Sequence, residues 1–230
     1  MKKLGLIGGT GPESTLVYYK ELNTRLNKTA GGKAFPEIAI ESLDLYKALD
    51  LVSSEKYDEL ADYILQRVKN LENGGAEIIA LTAATMHVVF DKLKPQVNKP
   101  FISIPEAAAE YALSKGYKKV GLLGTIFTME KDYLSKAFTN AGIEVFVPSK
   151  EDRQLVHNRI ASELEYGIVK EESRAELISV IKKMQQENGI EAIILGCTEL
   201  PLALNKDNCP VDCLDIMEIH IQKLCGLVRE

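Results

Sequence analysis

The chain has 230 residues, 46% of them hydrophobic, and sets 28 basic against 33 acidic side chains for a net charge of −5. That apolar content can fill one large or two small α/β cores and excludes a disordered chain. There is no Lys/Arg run to grip a phosphate backbone, which excludes nucleic acid as a partner, and no stretch nears the roughly 20 apolar residues of a membrane span.

At the N-terminus two lysines precede a short apolar run, but Gly and Pro interrupt it before a signal-peptide core could form. The segment therefore reads as a first strand, Leu4–Ile7, and the expected setting is a soluble, cytoplasmic protein. Gly8-Gly9-Thr10-Gly11-Pro12-Glu13-Ser14-Thr15 follows as a glycine-rich turn into a helix over Ser14–Lys28. Close backbone approach and free helix N–H groups there suit a carboxylate or phosphate, and a merely tight turn is the plainer alternative. Neither the G-x-G-x-x-G dinucleotide fingerprint nor a Gly-Lys-Ser/Thr phosphate loop is met.

Further strands are expected at Glu37–Ile40, Ile78–Leu81, Phe101–Ile104, Val120–Leu123, Glu144–Val147, Ala192–Leu195 and Val211–Leu214. Helices are expected at Glu55–Asn73, Glu106–Lys115, Glu130–Asn140, Asp152–Glu165, Glu171–Glu187 and Ile216–Val228. Short apolar runs alternating with longer 3.6-periodic segments predict an α/β protein with buried parallel strands.

The two halves repeat one another. Lys2-Lys3-Leu4-Gly5-Leu6-Ile7-Gly8 returns as Lys118-Lys119-Val120-Gly121-Leu122-Leu123-Gly124, an offset of 116 positions. Gly75-Ala76-Glu77-Ile78-Ile79-Ala80-Leu81 returns as Gly189-Ile190-Glu191-Ala192-Ile193-Ile194-Leu195, an offset of 114. Two similar doubly wound parallel-sheet domains related by pseudo-twofold symmetry are predicted. Ligands of such sheets bind beyond the carboxyl ends of the strands. Gly8–Ser14, Thr82–His87, Gly124–Thr128 and Gly196–Leu200 are thus expected to line one cleft at the domain interface.

Within Gly196-Cys197-Thr198-Glu199, Cys197 emerges at a strand end near helix N–H groups, surroundings that lower a thiol pKa and favour the thiolate; a small hydrophobic role is the alternative. All four cysteines, Cys197, Cys209, Cys213 and Cys225, fall in the last 34 positions, which predicts free thiols rather than a disulfide framework. Cys209 and Cys213 lack the partners to complete a zinc site, so no metal is expected. Thr10, Thr125, Thr128, Thr198 and Glu199 gather at the same strand ends, where each can contact a carboxylate or serve as a turn or cap residue. Arg153 could supply a cation for a second carboxylate, or be a solvated helix-start residue.

The segments Leu6-Ile7-Gly8-Gly9-Thr10-Gly11-Pro12-Glu13-Ser14-Thr15 and Leu195-Gly196-Cys197-Thr198-Glu199-Leu200-Pro201 closely resemble the two signatures of the aspartate/glutamate racemase family. The resemblance runs through the whole chain in order. It implies a cofactor-independent amino-acid racemase, without pyridoxal phosphate, metal or nucleotide, forming a homodimer. It also implies a first domain of residues 1–102 completed by a C-terminal helix at 214–230, and a second domain of residues 103–213.

In the family two bases on opposite faces of Cα exchange a proton. Racemisation needs removal from one face and return to the other, for which two poised groups suffice. The first base is usually the Cys of a Cys-Asn-Thr segment, replaced by Thr in some members acting on the L-isomer. Both the repeat and the motif bring Thr82-Ala83-Ala84-Thr85-Met86-His87 onto that segment. Ala83 then occupies the first base's position and Ala84 that of the carboxylate-holding Asn, with Thr85 and His87 kept. A methyl group can neither take a proton nor hydrogen-bond an enolate oxygen. Thr82 points to the opposite face of its strand and does not replace the base. His87 is a possible substitute base or substrate orienter, with a backbone-bonded helix-entry residue as the alternative.

Three functions follow. The first is an amino-acid racemase-family enzyme acting on aspartate- or glutamate-like substrates, with Cys197 as one base and Ala83 opposite. The second is a one-thiol enzyme, decarboxylase-like or exchanging a proton on a single face. The third is a catalytically impaired protein that binds an acidic amino acid or dicarboxylate.

Overall fold

The computed structural model describes Met1–Arg229. The chain divides into two compact units, the first comprising Met1–Ile104 with the residues from His220 on, and the second Pro105–Ile219. Each has its own four-stranded, wholly parallel sheet.

In the first unit β1 (Leu4–Gly8) leads into α1 (Pro12–Thr29), then β2 (Ile38–Ser42), α2 (Leu45–Ser53), α3 (Tyr57–Asn73) and β3 (Ile78–Leu81). A 3-10 turn (Ala84–Val89) and α4 (Phe90–Leu93) precede β4 (Phe101–Ile102). The strand order is β2-β1-β3-β4. Every residue of β1 and β3 is buried, as expected of strands covered on both faces; edge strand β2 has only half-buried and exposed positions. On α3, Leu60, Ala61, Ile64, Leu65, Val68 and Leu71 form one buried stripe at helical spacing.

α5 (Ile104–Ser114) carries the chain from the first unit into the second, followed by β5 (Lys119–Leu123), α6 (Ile126–Glu130), α7 (Ser135–Asn140), β6 (Glu144–Phe146) and α8 (Lys150–Ser162). α9 (Glu171–Asn188), β7 (Ala192–Leu195), α10 (Leu200–Ala203), β8 (Asp212–Asp215) and α11 (Ile216–Arg229) complete the chain. The order β6-β5-β7-β8 reproduces the plan of the first sheet. The register is reproduced as well: Leu4 pairs with Ile78 in one unit and Val120 with Ala192 in the other.

Three expectations about elements need correction. The helix expected over Glu130–Asn140 is two, α6 and α7, because Lys131 takes extended backbone and Tyr133 turns inward to bond Thr128. The strand expected to reach Ile104 ends at Ile102, since Ile104 already begins α5, with Pro105 in the first turn where its missing N–H costs nothing. Helix α2 was not anticipated; Asp44 caps it by accepting a hydrogen bond from the Lys47 N–H at 3.0 Å. Among the described residues no helix is long and apolar enough to cross a membrane.

Candidate active site

In the first unit the loop from β1 to α1 is shaped by glycine. Gly9 has φ +88°, and a Cβ there would sit 2.3 Å from the Leu43 carbonyl oxygen, so no other residue fits without movement of the backbone. The loop also consumes its own hydroxyls. Gly9 N–H donates to Thr15 Oγ1 at 3.1 Å, and Ser14 Oγ donates to the Gly11 carbonyl at 2.8 Å. Thr15 Oγ1 lies 3.2 Å from Thr82 Oγ1, which itself donates to the Ile7 carbonyl. Thr82 is thus buried and turned into its own unit. Thr10 differs: its Oγ1 is buried and has no hydrogen-bond partner among the described residues, so this acceptor and donor is left for something else to satisfy.

Beyond β3, Ala83 has extended backbone and is 8% exposed, while Ala84 and Thr85 are half-buried. Because Ile78 and Ala192 hold the same place in their sheets, Ala83 and Cys197, each five residues further on, hold corresponding positions beyond their strands.

His87 is fully engaged by backbone. Its Nε2 lies 3.1 Å from the Ile104 N–H, a group that can only donate, so Nε2 accepts and the ring proton resides on Nδ1. Nδ1 in turn lies 3.2 and 3.1 Å from the Ala83 and Ala84 carbonyl oxygens, which can only accept. Burial pushes its pKa down to about 4. The ring stacks on Phe90. With its only lone pair used by the Ile104 N–H, His87 takes the form of the backbone-bonded helix-entry residue, the alternative to a substitute base, and it organises the segment carrying Ala83.

In the second unit Gly196 closes β7 against β5. A Cβ there would meet the Leu123 carbonyl oxygen at 2.8 Å and the Leu122 and Thr128 side chains at 3.0 Å, so the close approach that sets the thiol's position requires glycine. Cys197 follows, part-exposed. Its thiol donates to Glu199 Oε2 at 2.8 Å, and Thr198 Oγ1 donates to Glu199 Oε1 at 2.7 Å. Loss of solvent around the sulfur pushes the thiol pKa well up, the Glu199 carboxylate adds to the rise, and Glu165 contributes further. The expected thiolate is corrected accordingly. The helix that was to stabilise it, α10, spans only four residues, and the nearest formal charge is a carboxylate.

Thr125 and Thr128 form an internal chain of hydroxyls. Thr125 Oγ1 caps α6 by accepting from the Thr128 N–H, Thr125 Oγ1 and Thr128 Oγ1 lie 3.1 Å apart, and Thr128 Oγ1 is 3.0 Å from the Tyr133 hydroxyl. Thr128 is 2% exposed, so its hydroxyl is enclosed in this chain, while Thr125 is the cap. Tyr133 carried no signal in the sequence, since it fell inside an expected continuous helix. Arg153 pairs with Glu130 at 3.4 Å, while its Nε is buried with no hydrogen-bond partner among the described residues. No group of three or more His, Cys, Asp or Glu able to hold a metal occurs among the described residues, and none of the four cysteines forms a disulfide there.

The family model described as Asp/Glu/Hydantoin racemase matches residues 7–224. A Yersinia pestis structure provisionally described as an Asp/Glu racemase is 34% identical with a TM-score of 0.95, covering 100% of both chains. An aspartate racemase homologue from Pyrococcus horikoshii OT3 is 39% identical with a TM-score of 0.90, also over 100% of both. The broad specificity amino-acid racemase RacX of Bacillus subtilis (strain 168) is 23% identical over 215 residues, 92% of each chain. With two parallel sheets of one plan, a strand-end thiol and a family match spanning nearly its whole length, the chain belongs to the Asp/Glu/hydantoin racemase family.

Proposed function

We propose that this protein is a pyridoxal-independent enzyme that moves a proton at Cα of a small acidic amino acid or related dicarboxylate. Cys197 is the acid–base group, and Ala83 stands where the opposite base would be. The observation that carries the reading is the Cys197 thiol, hydrogen-bonded to Glu199 beyond β7, against a methyl group at the corresponding place beyond β3. The unpartnered Thr10 hydroxyl supports a carboxylate ligand at the first unit's strand ends. Relatives described as amino-acid or aspartate racemases support the substrate class.

A second reading, single-face chemistry, is favoured by the same asymmetry. An acid that generates its own carbanion by losing CO₂ needs one proton donor only, and a protonated thiol is such a donor. Proton NMR in D₂O with L- and D-aspartate and glutamate separates the two. Slow exchange of the Cα proton without inversion, abolished in Cys197→Ser and converted to inversion by Ala83→Cys, is the expected outcome. Inversion by the unaltered protein would require another base, and absence of exchange with all four amino acids, even after Ala83→Cys, would exclude the substrate class.

A further inference from the structure

Glu199 sits where a substrate contact was expected, yet both of its carboxylate oxygens are committed within the protein. Oε2 accepts from the Cys197 thiol at 2.8 Å and Oε1 from the Thr198 hydroxyl at 2.7 Å. Thr198 thereby fixes the rotamer of the carboxylate, and the carboxylate fixes the direction of the S–H bond. A carboxylate can accept the proton of a thiol but cannot hydrogen-bond a thiolate, and its charge repels one. We propose that Glu199 is a positioning residue that holds Cys197 as a protonated thiol, so that this half-site gives a proton more readily than it takes one. The inference rests on Cys197 being the acid–base group of the proposed function, and it assigns Glu199 a role on the sulfur instead of the substrate.

The step this implies is simple. A substrate carbanion takes the thiol proton, a C–H bond forms as the S–H bond breaks, and the electron pair stays on sulfur. The resulting thiolate faces Glu199, and the charge of Glu165 in the 3-10 turn Leu164–Tyr166 adds to the repulsion. That charge repulsion drives rapid reprotonation from water and resets the thiol. Removal of a substrate proton by this face is disfavoured by the same repulsion. Charge at Glu199 thus gives the two directions of proton transfer different ease.

The test is the titration of Cys197 itself, which does not depend on any substrate being turned over. Alkylation by iodoacetamide is followed against pH by mass spectrometry of the peptide containing Cys197, with Cys197→Ser as the blank. In the unaltered protein the thiol is expected to react more slowly at pH 8 than a free cysteine of ordinary pKa. Glu199→Gln keeps an oxygen that accepts the S–H while removing the charge, and at least about tenfold faster alkylation at pH 8 is expected. Glu199→Asp retains the charge and is expected to stay close to the unaltered profile. An unaltered thiol that already reacts as a thiolate at neutral pH would overturn the proposal without any variant, and so would a Glu199→Gln profile superimposable on the native one. If the amino-acid assays are silent even with Ala83→Cys while the titration behaves as expected, the substrate class is wrong and the thiol–carboxylate pairing stands.

Discussion

At the scale of single residues, the two buried histidines of the first unit make a sharp statement about pH. His220 Nε2 lies 3.2 Å from the Ile102 carbonyl, so it donates, and Nδ1 accepts from the Tyr18 hydroxyl at 2.7 Å. Burial lowers its pKa to about 3, as it lowers that of His87 to about 4, both from 6.5. The folded protein keeps both rings neutral, whereas the unfolded chain takes up protons as pH falls through about 6.5. Stability is therefore full above that value and declines between about pH 6.5 and 4, with each ring costing on the order of 3 kcal/mol at the lower end. Denaturant unfolding at pH 7, 5.5 and 4.5 should show this decline, and His87→Gln should flatten it even if it lowers stability at neutral pH. The sequence carried part of this information. The place of Ala83 was legible because repeat and motif converged on it, but neither the tautomer of His87 nor the protonation of Cys197 could be read, since both depend on groups met only through folding, such as the Ile104 N–H.

Among the elements, α8 and α9 are joined by a carboxylate that no sequence pattern marked. Glu163 is 4% exposed and accepts from the Ser173 hydroxyl at 2.5 Å, Arg159 Nη1 at 3.0 Å and Lys170 Nζ at 3.2 Å. Arg159 reaches on to Glu176 of α9 through two further bonds. These donors, Ser173 first, hold the Glu163 carboxyl below the usual range, so the stabilisation it gives is present above that range and lost on acidification. Glu163→Gln is expected to lower the melting temperature at pH 7, because it leaves Arg159 and Lys170 without their shared partner. Disrupting the exposed pair Lys56–Glu59 should change stability by about 0.5 kcal/mol or less. Periodicity revealed the long buried helices and the apolar central strands. It missed α2, only nine residues long, and it bridged the gap between α6 and α7, where an inward tyrosine overrides helix propensity.

For the molecule as a whole, the decisive fact is that the first unit is discontinuous in sequence. Its N-terminal strand is met by the chain's far end: Lys2 N–H donates to the Val228 carbonyl at 2.8 Å, and Leu224 and Val228 are fully buried. Removing the residues from His220 on should therefore cost the first unit its protection. Hydrogen exchange at the amides of β1 and β3 is expected to rise towards unfolded rates, while β5 and β7 stay protected. The doubling of one sheet plan was legible from the two offsets; the point at which the chain passes from one unit to the other is set by packing around His220, which no local pattern announces.

This discontinuity also bears on birth order. Domains usually acquire structure from the amino end as synthesis proceeds. Here the unit begun first is finished last, since its closing residues emerge from the ribosome only after every residue of the second has been made. The nascent first unit must wait with an incomplete core, and it is during translation, more than in the finished protein, that its apolar strands are open to capture by chaperones.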